Sequence, residues 1–212
     1  MPALSVVQEG KLRLDDDVDT KLVSWHIPRN KYTQTKPVTL RRLLSHSAGI
    51  TVSGFEGYRR GEQVPSLHQE LHGTKPANSE TIRVNVMPGS KYRYSGGGFV
   101  VLQQLLLDLV GTDFPHLMKE RVLDKVGMTS STYQQPLPEV RQASAATGHE
   151  SKGSVLQGKW HVYPEMAPAG LWSTPTDLSR FAIELQDEVM AVAVDPVASR
   201  AEGCSWVGTI SL

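Results

Sequence analysis

Residues 88–106, PGSKYRYSGGGFVVLQQLL, contain the pattern that decides the fold. A Pro-Gly pair marks a turn near the start of this stretch. After a short polar run, three glycines lead into an apolar segment from about residue 99 to residue 110, and Gly111 follows it. Glycine is the usual residue just past the end of a helix. The stretch therefore predicts a loop that leads directly into an apolar helix, a geometry suited to an active site.

Helix start and stop signals flank several other segments. Ser, Thr and Asp are preferred N-caps, proline is favoured at the first helical position, and glycine is favoured past the last one. The stretches 51–80 and 129–165 carry few such signals and are predicted to be mainly loops. The helices predicted are at residues 2–9 before Gly10, from Thr39 to Gly49, at 66–72, from Asp113 to Leu123, and from Thr174 through Leu178, Phe181, Ile183 and Leu185.

The composition is that of a globular chain without net charge. Its 212 residues are 39% hydrophobic, and 22 basic residues balance 22 acidic ones. This length allows a sizeable core, and the balanced charge provides no field that would attract nucleic acid or an anionic membrane. The N-terminal stretch fits neither a signal peptide nor a membrane span, and the single cysteine, Cys204, cannot close an intramolecular disulfide. We expect small molecules or peptides as partners, and the compartment stays undetermined.

Four segments, in this order, resemble the penicillin-binding serine hydrolases: class C β-lactamases, DD-peptidases and related esterases of the family VIII type. They are SVVQEGKLRLDDDV at 5–18, TLRRLLSHSAGI at 39–50, PGSKYRYSGGGFVVLQQLL at 88–106 and PAGLWSTPTDLSRFAIEL at 168–185. The resemblance implies an α+β, β-lactamase/transpeptidase-like fold, of which this chain keeps mainly the helical lobe with an incomplete antiparallel sheet. It also implies a partial β-lactamase-related domain at 1–185 and a C-terminal segment, 186–212, that departs from the family pattern.

The resemblance also implies where the site lies. In this family a Ser-x-x-Lys serine attacks a carbonyl, a Tyr-x-Asn tyrosine moves protons, and a later Lys-Thr-Gly or His-x-Gly strand contacts substrate. Tyr94-Ser95-Gly96 matches the middle motif, so Tyr94 is the implied catalytic residue, with Ser95 and Gly96 as substrate contacts. The turn at Gly170 and Leu171 lies near the substrate cleft in the resemblance and is predicted to bind substrate. No metal and no other cofactor is implied.

Two departures from the family pattern affect the predicted chemistry. No lysine of the chain has a serine three positions earlier, and Thr33-Gln-Thr-Lys36 is only a coincidental match. The resemblance implies a nucleophile within about two helical turns before Met1, so the chain alone is predicted to be inactive. A tyrosine transfers protons only where a neighbouring positive charge makes its phenolate accessible, and the motif lysine that would supply this charge is missing. Gly96 stands in place of the asparagine, which puts amide recognition in doubt and favours an esterase-like relative.

Three other groups of residues leave alternatives open. His46 has serines on both sides, which fits either a base beside a nucleophile or, since neighbours in a helix point in different directions, a structural histidine near the site. His68 and His72 stand four residues apart without a third metal ligand, so we predict solvated histidines. A substrate pocket and core packing are equal alternatives for Trp160, His161 and Trp172.

Two hypotheses about function follow from these observations. In the first, the complete form of the protein is a hydrolase that cleaves an ester or amide through an acyl-serine, with Tyr94 in proton transfer. In the second, the chain is a non-catalytic module that binds a ligand or peptide in the same cleft. Under either hypothesis, an incomplete sheet would leave apolar surface uncovered, and we expect marginal stability or self-association.

Overall fold

The chain's computed structural model describes residues 2–194, so Cys204 lies outside the described residues. Helices dominate, and one two-stranded antiparallel sheet accompanies them, with Tyr58 paired to Val162. The elements are α1 Pro2–Gln8, a 3₁₀ turn Val18–Thr20, α2 Leu40–Leu44, β1 Tyr58–Arg59, α3 Leu67–His72, α4 Gly96–Val110, α5 Phe114–Met118, a π-helical turn Lys119–Leu123, α6 Glu139–Gln142, β2 His161–Val162, α7 Met166–Ala169 and α8 Pro175–Val194. The predicted fold class, a helical lobe with a small antiparallel sheet, is confirmed.

Helix α4 forms the centre of the molecule. It packs against α1, α2, α3, α5 and α7. Its buried residues lie on all sides of the helix rather than on one stripe, which is typical of a helix enclosed by others. They include Val100, Val101, Leu102, Leu105 and Leu106, together with the polar Gln103 and Gln104. The apolar helix predicted from residues 88–106 is therefore the core of this lobe.

The start of α4 lies three residues earlier than predicted, because the three glycines belong to the helix. The hydroxyl of Ser95 accepts a hydrogen bond from the Gly98 N–H at 2.9 Å, which makes Ser95 the N-cap. The Gly97 N–H donates to the carbonyl of Val52 at 2.9 Å. A Cβ at Gly97 would lie 2.5 Å from the carbonyl oxygen of Thr51. The glycines therefore let the chain at 51–53 cap the central helix by close approach.

Helix α2 is shorter than predicted. It begins after the Thr39 N-cap, whose side chain accepts from the Arg42 N–H, but it ends at Leu44 rather than at Gly49. His46 adopts a left-handed backbone conformation with φ of 52°, which interrupts a right-handed helix. The segment between Leu44 and Gly49 is therefore a turn that carries His46.

Helix α8 begins at Pro175 as predicted, and it continues to Val194. The carboxylate of Asp177 is buried and accepts hydrogen bonds from the Ser130 N–H and the Ser131 hydroxyl, both at 2.8 Å. This contact ties the start of α8 to the loop before it. Because the helix continues through residue 185, no break in structure marks the boundary between residues 185 and 186, and the boundary stays a prediction.

Within residues 2–194, no helix is both long enough and apolar enough to cross a membrane. The exposed apolar side chains of α8 include Leu178, Ile183 and Leu185, which are 49%, 55% and 40% exposed. Leu178 and Leu185, seven residues apart, share one face of α8, which the described part of the chain leaves partly uncovered.

Candidate active site

Tyr94 lies on the surface, one residue before the N-cap of α4. Its side chain is 55% exposed, which leaves it accessible to a bound molecule. Its ring centroid lies 4.4 Å from that of His46, with an angle of 36° between the planes. The backbone around Tyr94 is tied to the turn after α2, since the Arg93 N–H donates to the His46 carbonyl at 2.7 Å. Tyr94 is thus an accessible phenol on a braced stretch of backbone.

Ser95, in contrast, is turned into the protein. It is buried, and its hydroxyl donates to the carbonyl of Thr51 at 3.0 Å while it accepts from the Gly98 N–H. Both functions of the hydroxyl are used in holding the start of α4. A helix cap is the role that this geometry supports, and the substrate contact assigned to Ser95 stays a prediction.

Gly96 occupies the asparagine position of the family motif, and Phe55 fills the space next to it. A Cβ at this position would lie 3.1 Å from the Phe55 ring and 3.2 Å from the carbonyl oxygen of Ser53. The Gly96 N–H also donates to that carbonyl, at 3.2 Å. A larger side chain at residue 96 would have to displace Phe55 before it reached a substrate. The role of Gly96 in substrate binding also stays a prediction.

The N–H groups at the start of α4 already have partners. Gly96 and Gly97 donate to the 51–53 segment, and Gly98 donates to Ser95. A phosphate or other anion at a helix start needs free N–H groups. The three glycines therefore act in capping and close packing and do not form a phosphate cradle.

Gly170 and Leu171 follow α7 at the edge of two pockets. The Gly170 N–H donates to the Met166 carbonyl at 2.8 Å, and the Gly170 carbonyl accepts from the Gln135 amide at 3.0 Å. A Cβ on Gly170 would lie 2.6 Å from the Cα of Met166, so only glycine fits. Leu171 is 38% exposed and lines both pockets. This placement accords with the predicted substrate-binding turn, which stays a prediction.

The first pocket is apolar and has a volume of about 260 Å³. Phe99, whose ring centroid lies 5.1 Å from that of His46, connects it to the tyrosine site. Burial raises the pKa of Tyr133, another lining residue, to about 12, so its phenol stays protonated at neutral pH. The lining residues are Pro2, Ala3, Leu44, Phe99, Leu102, Leu106, Phe114, Met118, Val122, Leu123, Met128, Tyr133, Ala167, Leu171, Leu178 and Phe181.

The second pocket, of about 270 Å³, contains the aromatic residues singled out in the sequence. Trp160 and Trp172 meet edge to face, with centroids 5.6 Å apart. Trp160 is also buried, and the Arg60 guanidinium lies 4.8 Å from its ring centroid. His161 lines the same pocket and is fixed by a 2.7 Å hydrogen bond between its Nδ1 and the Glu56 carbonyl. Pocket lining and core packing are thus combined in this group.

Two fully buried carboxyl groups, Glu70 and Glu165, were not predicted from the sequence. Glu70 accepts hydrogen bonds from the Tyr58 hydroxyl and, at 3.0 Å, from the Ser79 hydroxyl. Neither carboxyl oxygen of Glu165 has a hydrogen-bond partner among the described residues other than the neighbouring carboxyl group of Glu70. Burial, and then the nearby charge of Glu70, raises the pKa of Glu165 to about 8. Glu165 is therefore protonated at neutral pH.

Only a weak signal in the sequence points to this pair. Glu165 stands in VYPEMAPAG, a stretch without another charged residue, and Glu70 occupies the buried side of the short helix α3. Burial, and then the hydrogen bond to Glu70, also raises the pKa of Tyr58. Nothing in the spacing shows that α3 and the loop before α7 meet.

Within residues 2–194, no group of three or more His, Cys, Asp or Glu side chains is placed to hold a metal ion. The rings of His68 and His72 are 6.2 Å apart. The structure therefore gives no observation that would assign a metal role to these two histidines.

Comparison with known proteins agrees with this architecture. Solved structures of β-lactamases and of a β-lactamase/D-alanine carboxypeptidase share this packing of helices around α4, so the fold is β-lactamase/transpeptidase-like. The family model described as Beta-lactamase matches residues 2–202, so the chain belongs to the β-lactamase family. The chain is also 24% identical over 178 residues to Protein flp of Staphylococcus aureus strain N315, a match that covers 82% of this chain and 32% of the relative.

Several solved structures share the fold at low sequence identity. D-amino acid amidase from Ochrobactrum anthropi SV3 superposes with a TM-score of 0.66 and 20% identity, over 88% of this chain and 51% of the amidase. A β-lactamase/D-alanine carboxypeptidase from Yersinia pestis gives a TM-score of 0.61 and 20% identity, over 85% of this chain and 48% of that protein. The chain thus spans about half of these structures and about a third of the curated relative.

Proposed function

We propose that the surface around Tyr94 is part of the substrate cleft of an acyl-serine hydrolase that cleaves an ester or amide bond of a small molecule or peptide. The observation that carries the proposal is the accessible Tyr94 phenol, braced at the start of the central helix in a chain of the β-lactamase family. Solved relatives named as an amidase and a carboxypeptidase act on amide bonds, which supports this class of reaction.

In the proposed reaction the nucleophilic serine and its lysine belong to a Ser-x-x-Lys segment outside these 212 residues. The serine oxygen attacks the substrate carbonyl while the Tyr94 phenolate takes the serine proton. Tyr94 then gives that proton to the leaving group as its bond to the carbonyl carbon breaks, so the phenolate is regenerated. Water then hydrolyses the acyl-serine by the reverse proton path. A positive charge from the motif lysine would make the phenolate accessible.

The packing at residue 96 favours ester substrates over amides. Phe55 takes the space in which the family's asparagine would begin, so no carboxamide at this position can bind a substrate amide. The pockets beside Leu171 are lined mainly by apolar and aromatic side chains, which suit an apolar acyl group. We therefore propose an ester with an apolar acyl part as the preferred substrate.

A covalent serine-hydrolase probe tests the proposal. Intact mass spectrometry of the 212-residue chain with a fluorophosphonate is expected to show no adduct, because the nucleophile is absent. The protein extended by the coding sequence on both sides is expected to be labelled, and Tyr94→Phe is expected to slow acylation about 10²- to 10⁴-fold, the usual contribution of a general acid or base. Tyr92→Phe is the control, because Tyr92 is 70% exposed and only two residues away. Labelling of the short chain, or equal rates for the two variants, would contradict the proposal.

The second candidate function is a non-catalytic module that binds a ligand or peptide. Two pockets formed within residues 2–194, together with the lack of a Ser-x-x-Lys motif, favour it. Stop codons directly on both sides of the coding sequence, with saturable calorimetric binding of a penicillin or an ester and no acylation, would select this function over the hydrolase.

We also propose that the isolated chain self-associates through the apolar face of α8. Leu178 lines the apolar pocket and is half exposed, and Leu185, two turns further along, lies on the same face of the helix. Sedimentation velocity is expected to show concentration-dependent dimers or larger species, and Leu178→Lys is expected to shift the chain towards monomer. Val140→Lys is the control, because Val140 is 91% exposed on α6 and lines neither pocket. A monomer at every concentration would show that this face of α8 does not mediate self-association and would contradict the proposal.

A further inference from the structure

We propose that His46 is a positioning residue for Tyr94, which it holds through the two residues that flank the tyrosine and through contact between the two rings. The inference rests on the proposed proton transfer by Tyr94. The contacts themselves can be measured in the 212-residue chain without any turnover.

Three contacts connect His46 to the chain around Tyr94. The Arg93 N–H donates to the His46 carbonyl at 2.7 Å. The Ser95 N–H donates to the His46 Nδ1 at 3.2 Å. The imidazole and phenol rings lie 4.4 Å apart between centroids. His46 therefore restrains the two residues that flank Tyr94 and the Tyr94 ring itself.

The backbone conformation of His46 supports a specific role for this residue. Its φ of 52° is in the left-handed region, which a residue with a Cβ adopts only rarely. Such conformations persist where surrounding contacts over-determine them, and they are concentrated at functional sites. Here the left-handed turn directs both the carbonyl and the imidazole towards residues 93–95. A right-handed continuation of α2 would not present both groups to the same segment.

The hydrogen bond from Ser95 defines the state of the imidazole. Because Nδ1 accepts from a backbone N–H, the single proton of the neutral ring is on Nε2. Burial lowers the pKa of His46, so the neutral ring predominates at neutral pH. A proton on Nδ1 would face the Ser95 N–H, and because both groups are donors the hydrogen bond between them would be lost. His46 therefore acts on Tyr94 by position and not by charge.

The imidazole is itself held by aromatic neighbours from the same stretch of chain. Phe99, in the first turn of α4, lies 5.1 Å from it, and Tyr92 meets its edge at 5.9 Å. Phe99 belongs to α4, which is enclosed by other helices. Contact with Phe99 therefore holds His46, and through it the ring of Tyr94, against the rigid centre of the lobe. Rigid placement of a proton-transfer group matters because a misplacement of about 1 Å can cost about 10²-fold in rate.

Three substitutions separate the contributions of His46. His46→Asn keeps an acceptor near the Nδ1 position and suits the left-handed backbone, but it removes the ring. His46→Phe keeps an aromatic ring and removes the acceptor. His46→Gly relieves the backbone and removes both groups. His68→Asn, at an exposed position on α3, is the matched control for loss of an imidazole.

Nuclear magnetic resonance of the 212-residue chain provides the readout. The native imidazole is expected to show an unprotonated Nδ1, and the Tyr94 ring protons are expected to carry ring-current shifts. His46→Asn should remove those shifts and leave the exchange of the Ser95 amide slow. His46→Phe should speed that exchange about three- to tenfold, the factor for one lost hydrogen bond. His68→Asn should change neither signal.

Unchanged Tyr94 ring signals in the Asn and Gly variants, with the fold intact by denaturant unfolding, would overturn the proposal. Asn and Gly both tolerate the left-handed backbone, so the test does not depend on the Phe variant being folded. Failure of the proposed function gives a different result. In that case Tyr94→Phe leaves acylation of the extended protein unchanged, while the His46 variants still displace the Tyr94 ring.

Discussion

Replacement of Glu165 by glutamine is expected to stabilise the chain at pH 8 and to remove most of the fall in its stability between about pH 4.5 and pH 8. Glu165 is fully buried, its carboxyl oxygens have no hydrogen-bond partner among the described residues other than the Glu70 carboxyl, and its pKa is raised from 4.5 to about 8. Glutamine has nearly the same shape and remains neutral at every pH. We expect Glu165→Gln to be more stable than the native chain above pH 8 by about 2–4 kcal/mol.

The sign follows from proton linkage. Below pH 4.5 Glu165 is protonated in both the folded and the unfolded chain, so its full stabilising contribution is present. Between pH 4.5 and 8 the folded chain keeps a proton that the unfolded chain has released, and stability falls by up to about 1.4 kcal/mol per pH unit. Above the folded pKa the loss is complete, because the carboxylate is then charged and buried beside Glu70.

Urea unfolding at pH 5, 6, 7 and 8 measures this effect as the difference between the native and Glu165→Gln curves. Taking the difference cancels the titration of the histidines, which both chains share. Glu139→Gln is the control, because Glu139 is exposed on α6 and its loss should leave the slope unchanged. Parallel curves for the native chain and Glu165→Gln would show that Glu165 is charged in the folded chain.

Gly49→Ala is expected to destabilise the chain by more than about 3 kcal/mol. Gly49 has φ of 71°, and a Cβ there would lie 2.2 Å from the carbonyl oxygen of Val86. The Gly49 carbonyl also accepts from the Asn85 and Val86 N–H groups, so the two backbones cannot separate without losing these hydrogen bonds. Displacement of this turn would also move His46, three residues earlier.

Gly10→Ala provides the matched comparison for Gly49. Gly10 has the same φ of 71°, but a Cβ there has no atom within 4 Å. This variant should therefore be destabilised only by the cost of the left-handed conformation, about 1–2 kcal/mol. Denaturant unfolding of both variants isolates the contribution of the close approach. Equal losses would show that the backbone conformation alone requires glycine at residue 49.

Local signals in the sequence were sufficient for most helices. Thr39 and Asp113, the two predicted N-caps, each precede a helix and accept hydrogen bonds from its first turn. Pro175 begins α8. These elements could be predicted because caps and apolar spacing act within one or two turns of the chain. The resemblance of four ordered motifs was enough to predict the family, which the match over residues 2–202 confirms.

The details around Tyr94 depended on residues far away in sequence. The three glycines were predicted to precede α4, but carbonyl groups from residues 52 and 53 complete the cap and draw the glycines into the helix. The helix predicted to extend to Gly49 ends at Leu44, because His46 turns towards a segment 49 residues further along the chain. Caps and periodicity do not encode such contacts.

The sequence by itself determined the family, the central helix and the position of Tyr94 just before it, because each depends on residues that are near one another in the chain. Only the tertiary structure decided that His46 contacts the Tyr94 ring and both residues that flank it, and that Glu70 and Glu165 share a buried site. Both arrangements depend on which segments meet when the apolar core closes around α4. Burial in this core then lowers the pKa of His46 and raises the pKa of Glu165.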